Sequence, residues 1–162
     1  MTIGRHSFFK VLTALLLSLV TVAAISGSSE RGLVIKDLKF TRLGKWSSHE
    51  VEVAASTKQV LYDKDGTVYV GAIFRMTPAE PQTVDKLTAK AFVNVIIAPC
   101  DSNNVVLAHS TIIGVDGKEY PQKIDPQIYQ VDNSPRSSST VAYRYLCRGI
   151  GSVTPFGPAL RA

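Results

Sequence analysis

The residues able to carry chemistry in this sequence are few. Cys100 and Cys147 are its two cysteines, and His49 and His109 are its histidines beyond the N-terminal region. A nucleophilic cysteine needs a base beside it and a lowered pKa. His109 stands in VVLAHSTII, a strand-like alternation, and reads as a sheet-surface residue. His49 opens HEVEV and reads the same way. A zinc centre needs three or four ligands, and positions 49, 100, 109 and 147 form no compact ligand spacing. Asp63-Lys64-Asp65-Gly66 has the look of the start of a calcium loop. It lacks the next acidic position and the distal glutamate that an EF-hand requires, so it reads as a solvated turn. Glu50 and Glu52 project from one strand face, as a glycosidase pair would, but an exposed polar face accounts for them. There is no glycine-rich phosphate loop and no G-x-S-x-G elbow. The expectation is a protein that is not an enzyme, with no catalytic residue, no metal and no cofactor.

The cysteines remain to be explained. Residues 1–26 pair a positive start, Arg5 and Lys10, with an apolar run from Val11 to Ile25 and small residues after it. That is the pattern of a secretory signal peptide, cut after Ala24 or after Ser26. The run of about 15 residues falls short of the roughly 20 that span a bilayer, and no later segment reads as a membrane span. No cysteine lies near the cut to carry a lipid. The mature chain of about 136 residues suits one domain with a real core. In the oxidising compartment that export implies, two cysteines are expected to be bonded to each other.

The elements that must position them follow from periodicity. KWSSHEVEVAAS alternates as a half-buried strand. QVLYDKDGTVYVGAIFRM reads as a hairpin, Asp63–Gly66 forming the turn and Gly66 free to take a positive φ. TPAEPQTVDKLTAK reads as a loop. FVNVIIAPCD is apolar, β-branched and too short for a typical helix, so it reads as a central strand ending at Cys100. NVVLAHSTIIG returns beside it, Asp116-Gly117 is a hairpin-turn pair, and QIYQV reads as an edge strand. In SSSTVAYRYLCRG the serines 137–139 are candidate N-caps, Gly149 supplies the stop, and Cys147 sits in the last turn. A helix of about ten residues is marginal alone. A Cys100–Cys147 disulfide would tie it to the sheet. Strands followed by one helix predict an α+β, mainly β fold: about six antiparallel strands with a helix on one face. Its core should draw on Trp46, Val68, Val70, Phe74, Phe92, Ile96, Leu107, Ile112, Tyr145 and Leu146.

Charge is unevenly distributed. Residues 31–45 carry net +4, residues 46–132 net −4, and residues 133–162 net +4. Basic ends attract polyanions such as glycosaminoglycans, and Lys36, Lys39, Arg42 and Lys45 are the candidate polyanion-binding residues. Nucleic acid is not expected as a partner, because the charge is modest and no nucleic-acid motif is present.

In order, KWSSHEVEV, QVLYDKDGTVYVGAIFRM, FVNVIIAPCD, VVLAHSTIIG and SSSTVAYRYLCRG resemble the surface-adhesin protein E family of Gram-negative bacteria, over residues 44–149. The resemblance implies a curved six-stranded antiparallel sheet with a C-terminal helix bridged to it, and Cys100 and Cys147 match that bridge. It also implies an adhesin that binds host matrix or serum proteins such as laminin and vitronectin, and the basic ends add acidic glycans to the expected partners. The division expected is a signal peptide at 1–26, a basic arm at 27–43, the domain at 44–149 and an irregular tail at 150–162. The missing lipid-anchor cysteine leaves an alternative, a periplasmic structural or envelope-maintenance protein without a host partner.

Overall fold

The computed structural model describes residues 35–132, 134 and 136–148. The expected signal peptide, Gly149 and the tail at 150–162 lie outside the described residues. Eight strands run in chain order: β1 Thr41–Lys45, β2 His49–Tyr62, β3 Val68–Pro78, β4 Gln82–Val84, β5 Leu87–Pro99, β6 Asn104–Gly114, β7 Glu119–Gln122 and β8 Gln127–Gln130. The helix α1, Ser138–Cys147, follows. All pairings are antiparallel, in the order β1-β2-β3-β5-β6-β7. The short β4 shares one edge of β5 with β3, and β8 shares one edge of β6 with β7. The sheet is thus six positions wide, with two short strands filling out its edges. It begins at Thr41, inside the stretch read from sequence as a basic arm.

The hairpins form where the turn chemistry is local. Gly66 takes φ 79°, and its N–H donates to Asp63 O at 2.9 Å, which closes the β2–β3 turn. The stretch read as a loop after Pro78 contains a further hairpin. Val84 pairs Leu87 across Asp85 and Lys86, whose φ values are 45° and 74°. Two successive positive φ angles make a turn whose twist matches the flanking strands. No glycine marks it, so Asp85 is its only turn signal in the sequence.

β5 is central, and both of its faces are apolar. Val93, Val95 and Ile97 face one way, with Tyr69, Ile73, Val106 and Ala108 from neighbouring strands. Ile35, Leu38 and Phe40 pack over that layer. Ala98 and Cys100 face the other way, with Val51, Val53, Val70 and Phe74, and there α1 lies. Ala142, Tyr143, Leu146 and Cys147 are its buried apolar side chains. Tyr145 meets Phe74 edge-on, ring centroids 5.9 Å apart. Of the expected core, Val70, Phe74, Ile112 and Leu146 are fully buried. Trp46, Val68, Ile96 and Tyr145 pack at its rim, and Phe92 and Leu107 are only half-buried.

β2 carries a bulge that matters for the site. Between Ala54, which pairs Ile73, and Gln59, which pairs Gly71, four residues of β2 oppose the single residue Ala72. Thr57 holds the bulge from inside. Its hydroxyl donates to Ala54 O at 2.7 Å and accepts the Ile73 N–H at 2.9 Å. The odd shift also exchanges faces: Val51 and Val53 face α1 before the bulge, and Val60 and Tyr62 share the face of Val70 and Val68 after it.

Candidate functional site

Cys100 and Cys147 are joined, with Cα atoms 5.4 Å apart at a separation of 47 positions in sequence. Neither is a free thiol. Cys100 follows the last residue of β5, and Cys147 ends α1, so the bridge fastens the C-terminal end of the helix to the sheet. The N-terminal end is held separately. Thr140, fully buried, donates its hydroxyl to Asp132 O at 2.9 Å.

The other sequence candidates are occupied structurally. Glu50 receives Arg42 Nε and lies 4.0 Å from Lys45 Nζ. Glu52 receives Arg75 in a two-pronged contact, 2.5 Å from Nε and 2.8 Å from the terminal nitrogen. That pairing pushes the Arg75 guanidinium still higher, and Phe40 stacks on it at 4.3 Å. His49 stacks on Trp46 at 5.1 Å and contacts the Ser48 hydroxyl through Nδ1 at 2.8 Å. His109 is half-buried and pairs with Val95 on the face away from α1, and burial pushes its imidazole below the ordinary value. Asp63–Gly66 is a turn. Among the described residues no group of three or more His, Cys, Asp or Glu side chains is placed to hold a metal ion.

Of the four lysines and arginines read as a polyanion site, Lys36 and Lys39 are exposed in the segment before β1. Arg42 and Lys45 share Glu50, which lowers their net charge. A stronger cationic site forms elsewhere. Lys58, Arg144 and Arg148 line one groove of about 580 Å³ at the C-terminal half of α1. Trp46, Leu43, Val141 and Tyr145 complete its walls, and no acidic side chain lines it among the described residues.

Each part of that groove has a local cause. The β2 bulge places Lys58 against the helix, where its ammonium donates to Tyr145 O at 3.1 Å and lies 4.9 Å from the Tyr145 ring. Burial lowers the Lys58 pKa from its ordinary value. A lysine at a helix C-terminus meets the negative end of the backbone dipole, and one of its three donors is so used. Trp46 is laid flat by Gly44: a Cβ there would fall 2.2 Å from the indole. Any larger residue would push the ring out of the groove wall. Arg144 stands in the last turn of α1, and Arg148 is its C-cap, whose backbone N–H donates to Arg144 O at 3.1 Å. Sequence reasoning identified the basic C-terminal charge but missed Lys58, which falls between the stretches read as KWSSHEVEVAAS and QVLYDKDGTVYVGAIFRM, where nothing marks a bulge within one long strand.

At the other end of α1 lies a second concavity, about 350 Å³, between the helix N-terminus, Tyr129 of β8 and the sheet. Phe74, Met76, Ile96 and Leu107 form its apolar floor, with Asn94 among them and Ser137, Ser138 and Ser139 at one end.

No family model, no curated protein and no solved structure matches this chain. The antiparallel sheet, the single C-terminal helix and the Cys100–Cys147 bridge define it as a mainly β, disulfide-tethered α+β domain. Among the described residues no helix is long and apolar enough to cross a membrane.

Proposed function

We propose that this is an exported, non-enzymatic binding protein of the surface-adhesin type, which engages an acidic glycan, free or displayed on host matrix proteins, at the groove of Lys58, Arg144 and Arg148. The observation that carries this reading is the composition of that groove: three cations and two aromatic rings, with no acid lining it among the described residues. Sulfate and carboxylate groups of a glycan would meet the cations, guanidinium forks being suited to planar, two-pronged contacts. The flat faces of Trp46 and Tyr145 would take the apolar faces of sugar rings. Supporting it further, the basic side chains ahead of β1, Lys36 and Lys39, add exposed positive charge that steers a polyanion over longer range. The sheet, helix and bridge agree with the architecture that the resemblance implies.

The test is salt-dependent retention of the oxidised protein on immobilised heparin. Arg148→Gln, at an exposed position, and Lys58→Gln should each elute at lower salt than the parent. Lys36→Gln and Lys39→Gln should have smaller effects, since neither side chain lines the groove. Retention unchanged by both groove variants refutes the site. Fractionation of cells tests export: protein found only in the cytoplasm refutes that part.

A further inference from the structure

An open sheet edge invites pairing with another chain, and natural sheets discourage it with charge, proline or irregularity. β1 is irregular between Arg42 and Gly44 and carries Arg42 and Lys45. β7 carries Glu119 and Pro121. β8 exposes Ile128 and Tyr129, but Asp125 precedes it and Asp132 follows it. An antiparallel copy of β8 would bring those carboxylates together across the join.

The second half of β2 has no such protection. β1 pairs β2 only as far as Val53. Among the described residues no strand lies beside residues 59–62 on the side away from β3. The Asp63 N–H donates to Thr67 O at 2.9 Å across the turn, so it points at β3. Alternation along the strand turns the N–H and C=O of Leu61 toward β3 as well, and those of Val60 and Tyr62 away from it. The side chains of Val60 and Tyr62 are 40 % and 72 % exposed, on the helix face of the sheet. Exposed apolar side chains on an open backbone edge are a template for strand addition. Lys58, the nearest cation along the strand, is turned onto Tyr145 of the helix.

We propose that this edge pairs with the same edge of a second copy of the chain, giving a twofold dimer through a continuous sheet. The strand is self-complementary about Leu61. In the antiparallel register centred there, Val60 stands opposite the partner's Tyr62, and Tyr62 opposite the partner's Val60. These are the residues whose backbone groups point outward, so both pairs exchange N–H···O=C bonds. A β-branched residue facing an aromatic one is a favourable cross-strand pair, and the twofold axis makes it twice. Charge agrees with the register. Lys58 falls beside the turn of the second copy that holds the partner's Asp63 and the partner's Asp65. Each such turn carries two carboxylates against the single ammonium of Lys64. Asp101 adds to its acid, because the Thr67 hydroxyl donates to it at 3.4 Å. An edge pair this short is below the size of a stable interface, so the dimer is weak. It sets both cationic grooves on one face of the joined sheet. The dimer does not depend on the glycan reading, and its test contains no glycan.

Sedimentation equilibrium of the oxidised protein at about 0.01–1 mM and low salt tests this. The mass should rise with concentration toward twice that of one chain, and added salt should weaken the association. Val60→Lys combined with Tyr62→Lys sets lysine opposite lysine in both pairs. It should weaken association by about 30-fold or more, while the melting temperature at low concentration matches the parent's. Ile128→Lys, on the edge of β8, should associate as the parent does. Hydrogen exchange reads the register without any substitution. As protein concentration rises, the amides of Val60 and Tyr62 should gain protection, and that of Leu61 should not. The proposal is overturned if the parent stays monomeric up to about 1 mM, or if the double-lysine variant associates as tightly as the parent. It is overturned equally if Ile128→Lys abolishes association, or if concentration leaves the Val60 and Tyr62 amides unprotected.

Discussion

Replacing Cys100 and Cys147 together by alanine should lower the stability of the folded chain by about 4 kcal/mol. The magnitude follows from the length of chain the bridge closes. With the cysteines 47 positions apart, the lost loop-closure entropy of the unfolded state corresponds to about 4 kcal/mol at room temperature. A domain of this size has about 5–15 kcal/mol of net stability in all, so the variant stays folded but with little margin. The native contacts of the helix argue that it remains docked. Leu146 and Ala142 are fully buried against the sheet, and Thr140 still holds the first turn through Asp132. Urea unfolding followed by tyrosine and tryptophan fluorescence reads the change. With a slope of about 2 kcal/mol/M, the midpoint should fall by about 2 M with the slope little altered. Hydrogen exchange adds a local readout: amides of residues 141–147 should lose more protection than those of β5. A midpoint shift under about 0.5 M would refute the reasoning. It would mean that the unfolded chain is already restricted, or that the helix docks without help from the bridge.

Two further outcomes concern groups that the fold holds away from their ordinary state. Burial depresses the His109 pKa, so the unfolded chain takes up the proton first as pH falls. The stability held at neutral pH should therefore decline below about 6.5, down to the lowered native value. His109→Gln should remove that share of the decline, and urea midpoints at pH 7.5 and 5.5 for both proteins would show it. An equal decline in both proteins refutes the assignment. At the β4–β5 turn Lys86 holds φ 74°, a left-handed conformation that costs a side-chain-bearing residue about 1–2 kcal/mol. Lys86→Gly should raise stability by up to about 1 kcal/mol after glycine's greater chain entropy is subtracted, and an unchanged or lower melting temperature contradicts this.

Much of the architecture was legible because it rests on local rules. The alternation in HEVEV, the apolar run ending at Cys100, the glycine turn at Asp63–Gly66 and the serine-led helix each act over a few residues, and each appears where its pattern predicts. The β4–β5 hairpin was not legible. Its turn takes two positive φ angles at Asp85 and Lys86, and of these only Asp85 is a favoured turn residue. The candidate site was read only in part. Charge counts drew attention to Lys36, Lys39, Arg42 and Lys45, but Glu50 claims two of them through strand pairing that no count of charge reveals.

The sequence by itself determined the strand and helix periodicities, the pairing of its two cysteines and the basic character of the C-terminal helix. These depend on residue type and near neighbours. The tertiary structure alone decided which side chains meet. The β2 bulge, held by Thr57, carries Lys58 to the helix end, and Gly44 admits the Trp46 ring beside it. Cross-strand register sets Asn94 into the floor of a cavity at the other end of that helix. Register, bulges and docking arise from contacts between segments distant in sequence. No short window of residues encodes them, and both concavities of this protein are made from them.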